Sequence, residues 1–304
     1  MMDEEAVRKY KDSGRALRAA LRRAVDAAHP GMKVIELCNL VEETVKEYGA
    51  EPAFPTNIGI NEVAAHYTAL IGDELTIPSN SIVKIDAGAH IDGYITDAAV
   101  TVYFNDAFSM MARAAKAALG NAIDNFKPGT QMGRVGAIIE KTIRSYGYRP
   151  IENLTGHLIR RYLLHAGVSV PNIEAETGEK VMPGETYAIE PFVTNGKGHV
   201  VDGKTITIYR VERVAVKKLG KELEEAAELI YSRFNSLPFT PRWLQGDFRD
   251  STMPIINQLM RRGVLYGYAT LIEGGKGYVA QFEDTVLVTG DGAEPLVGTI
   301  DLAQ

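Results

Sequence analysis

The sequence contains few of the features expected of a secreted, membrane-bound or nucleic-acid-binding protein. Cys38 is the one cysteine in 304 residues, so no intramolecular disulfide can form and nothing indicates an oxidising compartment. No apolar run approaches the roughly 18 residues of a membrane span, and the N-terminus is charged from residue 3, unlike a signal peptide. The 33 basic residues against 39 acidic ones give a net charge of −6, which disfavours nucleic acid as a partner. We therefore expect a soluble, cytoplasmic protein with no membrane partner and no specific nucleic-acid partner.

The hydrophobic pattern predicts two pairs of helices and several strands. The helices are expected at 4–28 and 34–48, and again at 107–125 and 131–146. This mixture predicts an α+β fold in which helix pairs cover a curved, mainly antiparallel sheet. Runs rich in Ile, Val, Tyr and Thr predict the strands at 82–87, 94–104, 187–193, 206–216 and 278–288.

Asp92 and Gly93 predict a tight β-hairpin, because a type I′ turn favours this dipeptide. Such a turn places residue 86 opposite 99 and residue 88 opposite 97, so Asp86 and Asp97 become diagonal neighbours on one face, roughly 7–8 Å apart at the backbone. Two converging carboxylates repel each other unless a proton or a cation joins them. Gly88, which has no side chain, would leave room between them. Solvent-exposed acids on a hairpin remain the alternative at this point.

Further acids and histidines fall at strand-like positions. Glu190 and Glu283 each lie in an apolar run, where an unpaired acid is costly to bury, and His157 and His165 flank another such segment. For each glutamate alone, a surface acid on an edge strand is the alternative. Taken together, the acids and imidazoles indicate a metal site, and four carboxylates would balance the charge of two divalent cations, as in two-metal hydrolases.

Six stretches that span most of the chain resemble the motifs of type II methionine aminopeptidases, most closely the short archaeal form. The resemblance implies the pita-bread fold, a dinuclear metal site and metal-dependent removal of the N-terminal initiator methionine from proteins and peptides that have a small second residue. These motifs are AFPTNIGINEVAAHYT, KIDAGAHIDGYITDAAVTV, NLTGHLIRRYLLHAGVSVPNI, YAIEPF, LPFTPRWL and YVAQFEDT.

The resemblance also implies a role for each matching residue. Asp97 and Glu283 would bridge two divalent ions, drawn from Co, Mn, Fe or Zn. Asp86 would bind one ion, while His157 and Glu190 would bind the other. A hydroxide that bridges the metals would attack the scissile carbonyl, and Glu190 would shuttle the proton.

The resemblance assigns the substrate contacts to residues around the metals. His66 would bond the scissile amide region, and His165 would contact the substrate carbonyl and the developing oxyanion. We assign the apolar pocket for the methionine side chain to Phe54, Leu164 and Tyr268. Without the resemblance, His66 would be interpreted as structural, because a lone histidine usually is.

The motifs have the spacing of type II enzymes, but two residues depart from the family pattern. Glu190 and Glu283 are 93 residues apart, and the helical insertion at 218–266 that fills this interval is typical of type II enzymes. We expect 1–217 and 267–304 to form the pita-bread catalytic domain. Asp284 replaces the histidine that commonly follows the last ligand, and Ile208 replaces the pocket histidine of eukaryotic enzymes.

Two other interpretations stay open on the sequence. A prolidase or aminopeptidase P would use the same ligands, although these relatives usually carry an additional N-terminal domain and only 65 residues precede His66. A non-enzymatic pita-bread protein that binds RNA or protein would be expected to have lost ligands, whereas all five positions are filled. The expected partners are newly made polypeptides with N-terminal methionine, with ribosome docking of the insertion as a further hypothesis, and we expect a monomer.

Overall fold

The computed structural model describes residues 2–213, 219–248 and 251–302. These residues form the α+β architecture that the pattern predicts, with antiparallel pairing between all neighbouring strands. The α-helices are α1 (Glu4–Ala27), α2 (Val34–Glu47), α3 (Ser109–Asn125), α4 (Met132–Ser145), α5 (Lys221–Phe234) and α6 (Thr252–Arg261). The strands are β1 (Glu51–Ile60), β2 (Val63–Ala65), β3 (Ile82–Ile91), β4 (Tyr94–Tyr103), β5 (Arg149–Pro150), β6 (Thr155–Ile159), β7 (Ser169–Pro171), β8 (Thr186–Ile189), β9 (Phe192–Thr194), β10 (Val200–Val211), β11 (Leu265–Glu273), β12 (Val279–Gln281), β13 (Asp284–Val288) and β14 (Ala293–Pro295).

The two predicted helix pairs are confirmed and cover the sheets. Asp3 caps the N-terminus of helix α1, because its carboxylate accepts the Ala6 N–H, and the apolar stripe of α1 packs against β3 and β4. The helices α3 and α4 pack against each other, and α3 contacts β9 and β12. Both pairs therefore bury their apolar faces in one continuous core. This core also includes the apolar face of the β3–β4 hairpin, opposite the face that carries the acids.

The hairpin has the predicted register. Residue 86 pairs with 99 and 88 pairs with 97, while Asp92 and Gly93 both adopt the positive φ angles of the turn. Strand β3 also pairs with β1 on its other side, which places Asn57 opposite Asp86. Strand β3 is therefore the middle strand of a three-stranded sheet, and the acid-bearing face of the hairpin points away from the helices.

Two of the predicted strands are interrupted where the acids lie. The run at 187–193 is divided into β8 and β9 by Glu190 and Pro191, and the run at 278–288 is divided into β12 and β13 by Phe282 and Glu283. The expectation that these glutamates lie within strands is therefore wrong. A break in the ladder bends the chain and lets a side chain leave the plane of the sheet. The strand predicted at 206–216 corresponds to β10, and residues 214–216 lie outside the described residues.

Helices α5 and α6 lie between β10 and β11, which pair directly with each other. Together with the 3-10 turn Pro241–Leu244, they form a hydrophobic cluster separate from the main core. In the described part of the chain, no helix has the length and apolar character needed to cross a membrane.

Candidate metal centre

Asp97 and Glu283 are brought together by a junction between β4 and the start of β13. Ala99 and Glu283 exchange both backbone hydrogen bonds, with N···O distances of 3.3 and 3.0 Å. Thr285 bonds to both backbone groups of Asp97, accepting from its N–H at 2.7 Å and donating to its carbonyl at 2.8 Å. These contacts span nearly 190 positions of sequence and hold Glu283, just before β13, beside the strand that carries Asp97.

His157 on β6 and Glu190 in the bend after β8 lie at the same point. His157 pairs with Ala188 across the sheet, and its Nε2 lies 3.4 Å from Asp97 Oδ2 and 3.6 Å from Glu190 Oε1. The side chain of Asn172 donates to the backbone oxygens of Glu190 and Leu154, which fixes the bend after β8.

The donor set suits a divalent cation. One ligand atom from each of Asp97, His157 and Glu283 lies within 4.8 Å of the others, and all three side chains are buried. Asp86 Oδ1 and Asp97 Oδ1 are buried without a hydrogen-bond partner. Because buried polar atoms are nearly always satisfied, unpaired carboxylate oxygens that lie close to the His157 Nε2 fit a metal ion. The predicted ligands are therefore compatible with such an ion.

Burial keeps this centre close to neutral when no metal neutralises the acids. It raises the pKa of Asp97 to about 7. It also raises the pKa of Asp86, Glu190 and Glu283 well above the usual range, and the charge of Asp97 adds to each of these shifts. Burial lowers the pKa of His157 to about 4, so its imidazole is neutral and available as a ligand near pH 7.

All of the predicted site residues line one cavity of about 250 Å³. Besides the acids and His157, it is bordered by Phe54, His66, Leu164, His165 and Tyr268. The left-handed backbone of His66 (φ 64°) places its ring edge-on to Tyr268, with centroids 5.2 Å apart. The His165 ring lies 4.3 Å from that of His157, and burial, with the two neighbouring histidines, lowers the pKa of His165 to about 3.

The space above Gly88 is filled by protein. A Cβ atom at this position would lie 2.3 Å from Phe54 Cε1 and 3.0 Å from Ala53 Cβ. The interpretation that Gly88 leaves room for an ion between the acids is therefore wrong. The glycine instead admits the Phe54 ring, which forms part of the cavity wall.

Several lining residues were missed by the sequence reasoning. Asn57 has a buried, unpartnered Oδ1 and lies opposite Asp86, and Pro238 comes from the segment before the 3-10 turn. The pairing of β1 with β3 would have identified Asn57, but that pairing has no local signal comparable to the Asp-Gly turn. The other missed lining residues are Ala65, Asn153, Leu154, Thr155 and Phe192.

The two departures from the family pattern have different consequences. Asp284 accepts the backbone N–H groups of Val297 and Thr299 at 3.0 and 2.7 Å, so it anchors the C-terminal segment and does not line the cavity. Ile208 does line the cavity and adds to its apolar wall.

The model of metallopeptidase family M24 matches residues 8–290, and the chain belongs to this family. The chain is 48% identical over 262 residues to a methionine aminopeptidase of Saccharolobus solfataricus, which covers 85% of this chain and 87% of that protein. It is 39% identical over 293 residues to a methionine aminopeptidase of Methanocaldococcus jannaschii, covering 96% and 99% of the two chains. The crystal structure of a methionine aminopeptidase from Thermotoga maritima is similar at 25% identity with a TM-score of 0.71, covering 97% of this chain and 98% of that one.

Proposed function

We propose that the protein is a metal-dependent aminopeptidase that removes N-terminal methionine from newly made polypeptides. The observation that carries the proposal is the combination, in one small cavity, of a buried acid and imidazole cluster with an apolar wall. At about 250 Å³ the cavity is below the roughly 300–1,000 Å³ of sites for larger ligands, which suits one terminal residue. The names of the archaeal relatives supply the substrate class.

We infer that two divalent ions bind, held by Asp86, Asp97, His157, Glu190 and Glu283. When bound, they would lower the pKa of a water molecule and polarise the scissile carbonyl. Four carboxylates match the charge of two divalent ions, and oxygen and imidazole donors accept Co, Mn, Fe or Zn.

The chain's own groups would perform the proton transfers and position the substrate. Glu190 would take the proton of the attacking water at its carboxylate and deliver it to the departing amide nitrogen. His66 and His165, both expected to be neutral near pH 7 because burial lowers the pKa of each, would bond the scissile amide and the developing oxyanion. Phe54, Leu164 and Tyr268, together with Ile208, would enclose the methionine side chain and keep bulk water away from it.

We also infer that the described parts of 218–266 form an insertion subdomain attached to the catalytic domain of 1–217 and 267–304. The separate hydrophobic cluster around α5 and α6 supports this division. Pro238 in this segment borders the cavity, so the insertion would contribute to the methionine pocket.

The proposed activity is tested by release of free methionine from Met-Ala-Ser. Metal-stripped protein should release no methionine. Addition of Mn²⁺ or Co²⁺ should start turnover, because the buried acids ionise only when a bound cation neutralises their charge. Xaa-Pro peptides serve as the control and should stay intact. Cleavage of Xaa-Pro with no methionine release would instead assign the protein to the prolidase type, and no cleavage with any metal would favour a binding protein.

The apolar wall predicts a large effect of Gly88→Ala. The added methyl group would push the Phe54 ring into the cavity, so kcat/KM for Met-Ala-Ser should fall about 10- to 100-fold, the range expected for the loss of shape fit in an apolar pocket. Gly120→Ala is the matched control, since its Cβ would make only an ordinary 3.6 Å contact with Ile300. Full activity of Gly88→Ala would contradict the assignment of Phe54 to the methionine pocket.

A further inference from the structure

A buried ion pair joins the insertion to the main body of the protein. Arg242, in the 3-10 turn, donates to both carboxylate oxygens of Glu42 in α2, at 2.7 and 2.8 Å. The same carboxylate accepts Trp243 Nε1 at 2.7 Å and the Thr56 N–H at 3.1 Å. The side chains of Arg242 and Glu42 are only 8% and 7% exposed. Because an arginine fork on a carboxylate is both charge-assisted and directional, the guanidinium has one fixed position.

From this position, Arg242 also holds the chain just after His66. Its Nε donates to the Ala69 carbonyl at 3.2 Å, and one terminal nitrogen donates to Thr68 Oγ1 at 3.3 Å. The other terminal nitrogen bonds to Asn39 Oδ1 at 3.1 Å, so the guanidinium bridges α2 and the segment at 68–69.

His66 needs such support because its backbone lies in the left-handed region, with φ 64°. A non-glycine residue keeps this conformation only where its neighbours fix it. The Thr270 hydroxyl donates to the His66 carbonyl at 3.3 Å, and the Ile58 N–H donates to the Tyr67 carbonyl at 2.8 Å. The Thr68 N–H donates to Thr207 Oγ1 at 3.1 Å, and the contacts from Arg242 complete the set.

We propose that Arg242, oriented by Glu42, is a positioning residue for His66: its clamp on 68–69 maintains the left-handed backbone that directs the imidazole into the cavity. This inference rests on the proposed function, in which His66 bonds the scissile amide of the substrate. The insertion would then contribute to catalysis without supplying a metal ligand.

Arg242→Lys tests the proposal in the metal-loaded enzyme. Lysine keeps the charge but cannot bond to Glu42, Thr68 and Ala69 in one geometry, so kcat for Met-Ala-Ser should fall about 10- to 100-fold, as for losses of groups that orient a functional side chain. KM should change less than about threefold, because the cavity walls remain. The matched control is Arg233→Lys, since Arg233 also forks onto a carboxylate in the insertion, that of Asp247, and should keep normal kcat.

A double-mutant cycle separates positioning from general destabilisation. In a His66→Ala background, Arg242→Lys should lower kcat by less than about twofold, because residues that act as a unit are not additive. Losses that multiply would overturn the proposal. Glu42→Gln should repeat the pattern and replaces Arg242→Lys if that variant does not fold.

A crystal structure of Arg242→Lys, or of Glu42→Gln in its place, gives a readout independent of turnover. His66 should leave the left-handed region and lose the 3.2 Å contact between its Nδ1 and the Ala269 carbonyl. An unchanged His66 would overturn the positioning role even if the wild-type protein releases no methionine. Failure of the proposed function is seen separately, as absence of methionine release by the wild-type protein.

Discussion

Asp97→Asn should abolish methionine release while leaving the fold intact. Asp97 is buried, lies 3.4 Å from the His157 imidazole and converges with Glu283, so its carboxylate is shared by the whole cluster. An amide supplies one neutral oxygen, which removes a unit of charge and weakens metal binding. The loss of about 4 kcal/mol of transition-state stabilisation corresponds to roughly 10³-fold in rate, and we expect at least this decrease in kcat/KM. Metal stoichiometry measured after dialysis should fall in parallel.

The hairpin itself provides the control for this substitution. Asp92→Asn makes the same chemical change five positions away, at an exposed turn where asparagine also tolerates the positive φ of 51°. It removes one exposed, solvent-screened ion pair with Lys9, which contributes little to stability, and should leave turnover unchanged. An Asp97→Asn protein that turns over normally and retains stoichiometric metal would disprove the ligand assignment.

Local signals were sufficient for the elements that carry much of the site. The Asp92–Gly93 dipeptide specified a turn, the turn specified the register, and the register placed Asp86 and Asp97 on one face. The helix pairs followed from their apolar periodicity. Each of these inferences depends on contacts within about 25 residues, where the pattern of side chains leaves few alternatives.

The long-range contacts could not be read in the same way. The junction of β4 with Glu283 and the ion pair of Arg242 with Glu42 join residues about 180 and 200 positions apart. Nothing in the local pattern selects such partners, because many acids and arginines would satisfy the same charge. For the same reason, the filling of the space above Gly88 by Phe54 depends on the pairing of β1, which has no strong turn signal. The ligands were predicted from the family resemblance, and the fold shows how distant segments bring these residues close together.

The stability of the metal-free protein should fall as the pH rises from 6.5 to 8. Burial favours the protonated form of the acids in the folded chain, with a pKa of about 7 for Asp97 and pKa values well above the usual range for Asp86, Glu190 and Glu283, whereas the unfolded chain ionises them near pH 4. Unfolding therefore releases protons in this range, and a group with a raised pKa loses its stabilising contribution as the pH passes through its folded value.

Other groups decide the window in which this effect is visible. Burial lowers the pKa of His66, His157 and His165, so below about pH 6.5 these imidazoles produce the opposite slope. Above pH 6.5 the unfolded imidazoles also lose their protons, so this opposing contribution fades and is nearly gone by about pH 8. Buried Lys84, whose pKa is lowered well below its usual value, opposes the acids, because the lysine gains a proton on unfolding. Four acids with raised pKa values outnumber this one lysine, so the free energy of unfolding should decrease as the pH rises.

Urea unfolding of chelator-treated protein at pH 6.5 and 8 measures this slope directly. With Mn²⁺ present, the same acids bind the ion in competition with protons. The stabilisation by Mn²⁺ should therefore increase with pH and reverse the decrease seen without metal. Lys84→Met should steepen the metal-free slope, because it removes a group that opposes the acids. A metal-free stability that is constant or increases between these pH values would contradict the prediction. It would mean that the acids are ionised in the folded protein and that a cation other than the proton neutralises their mutual repulsion.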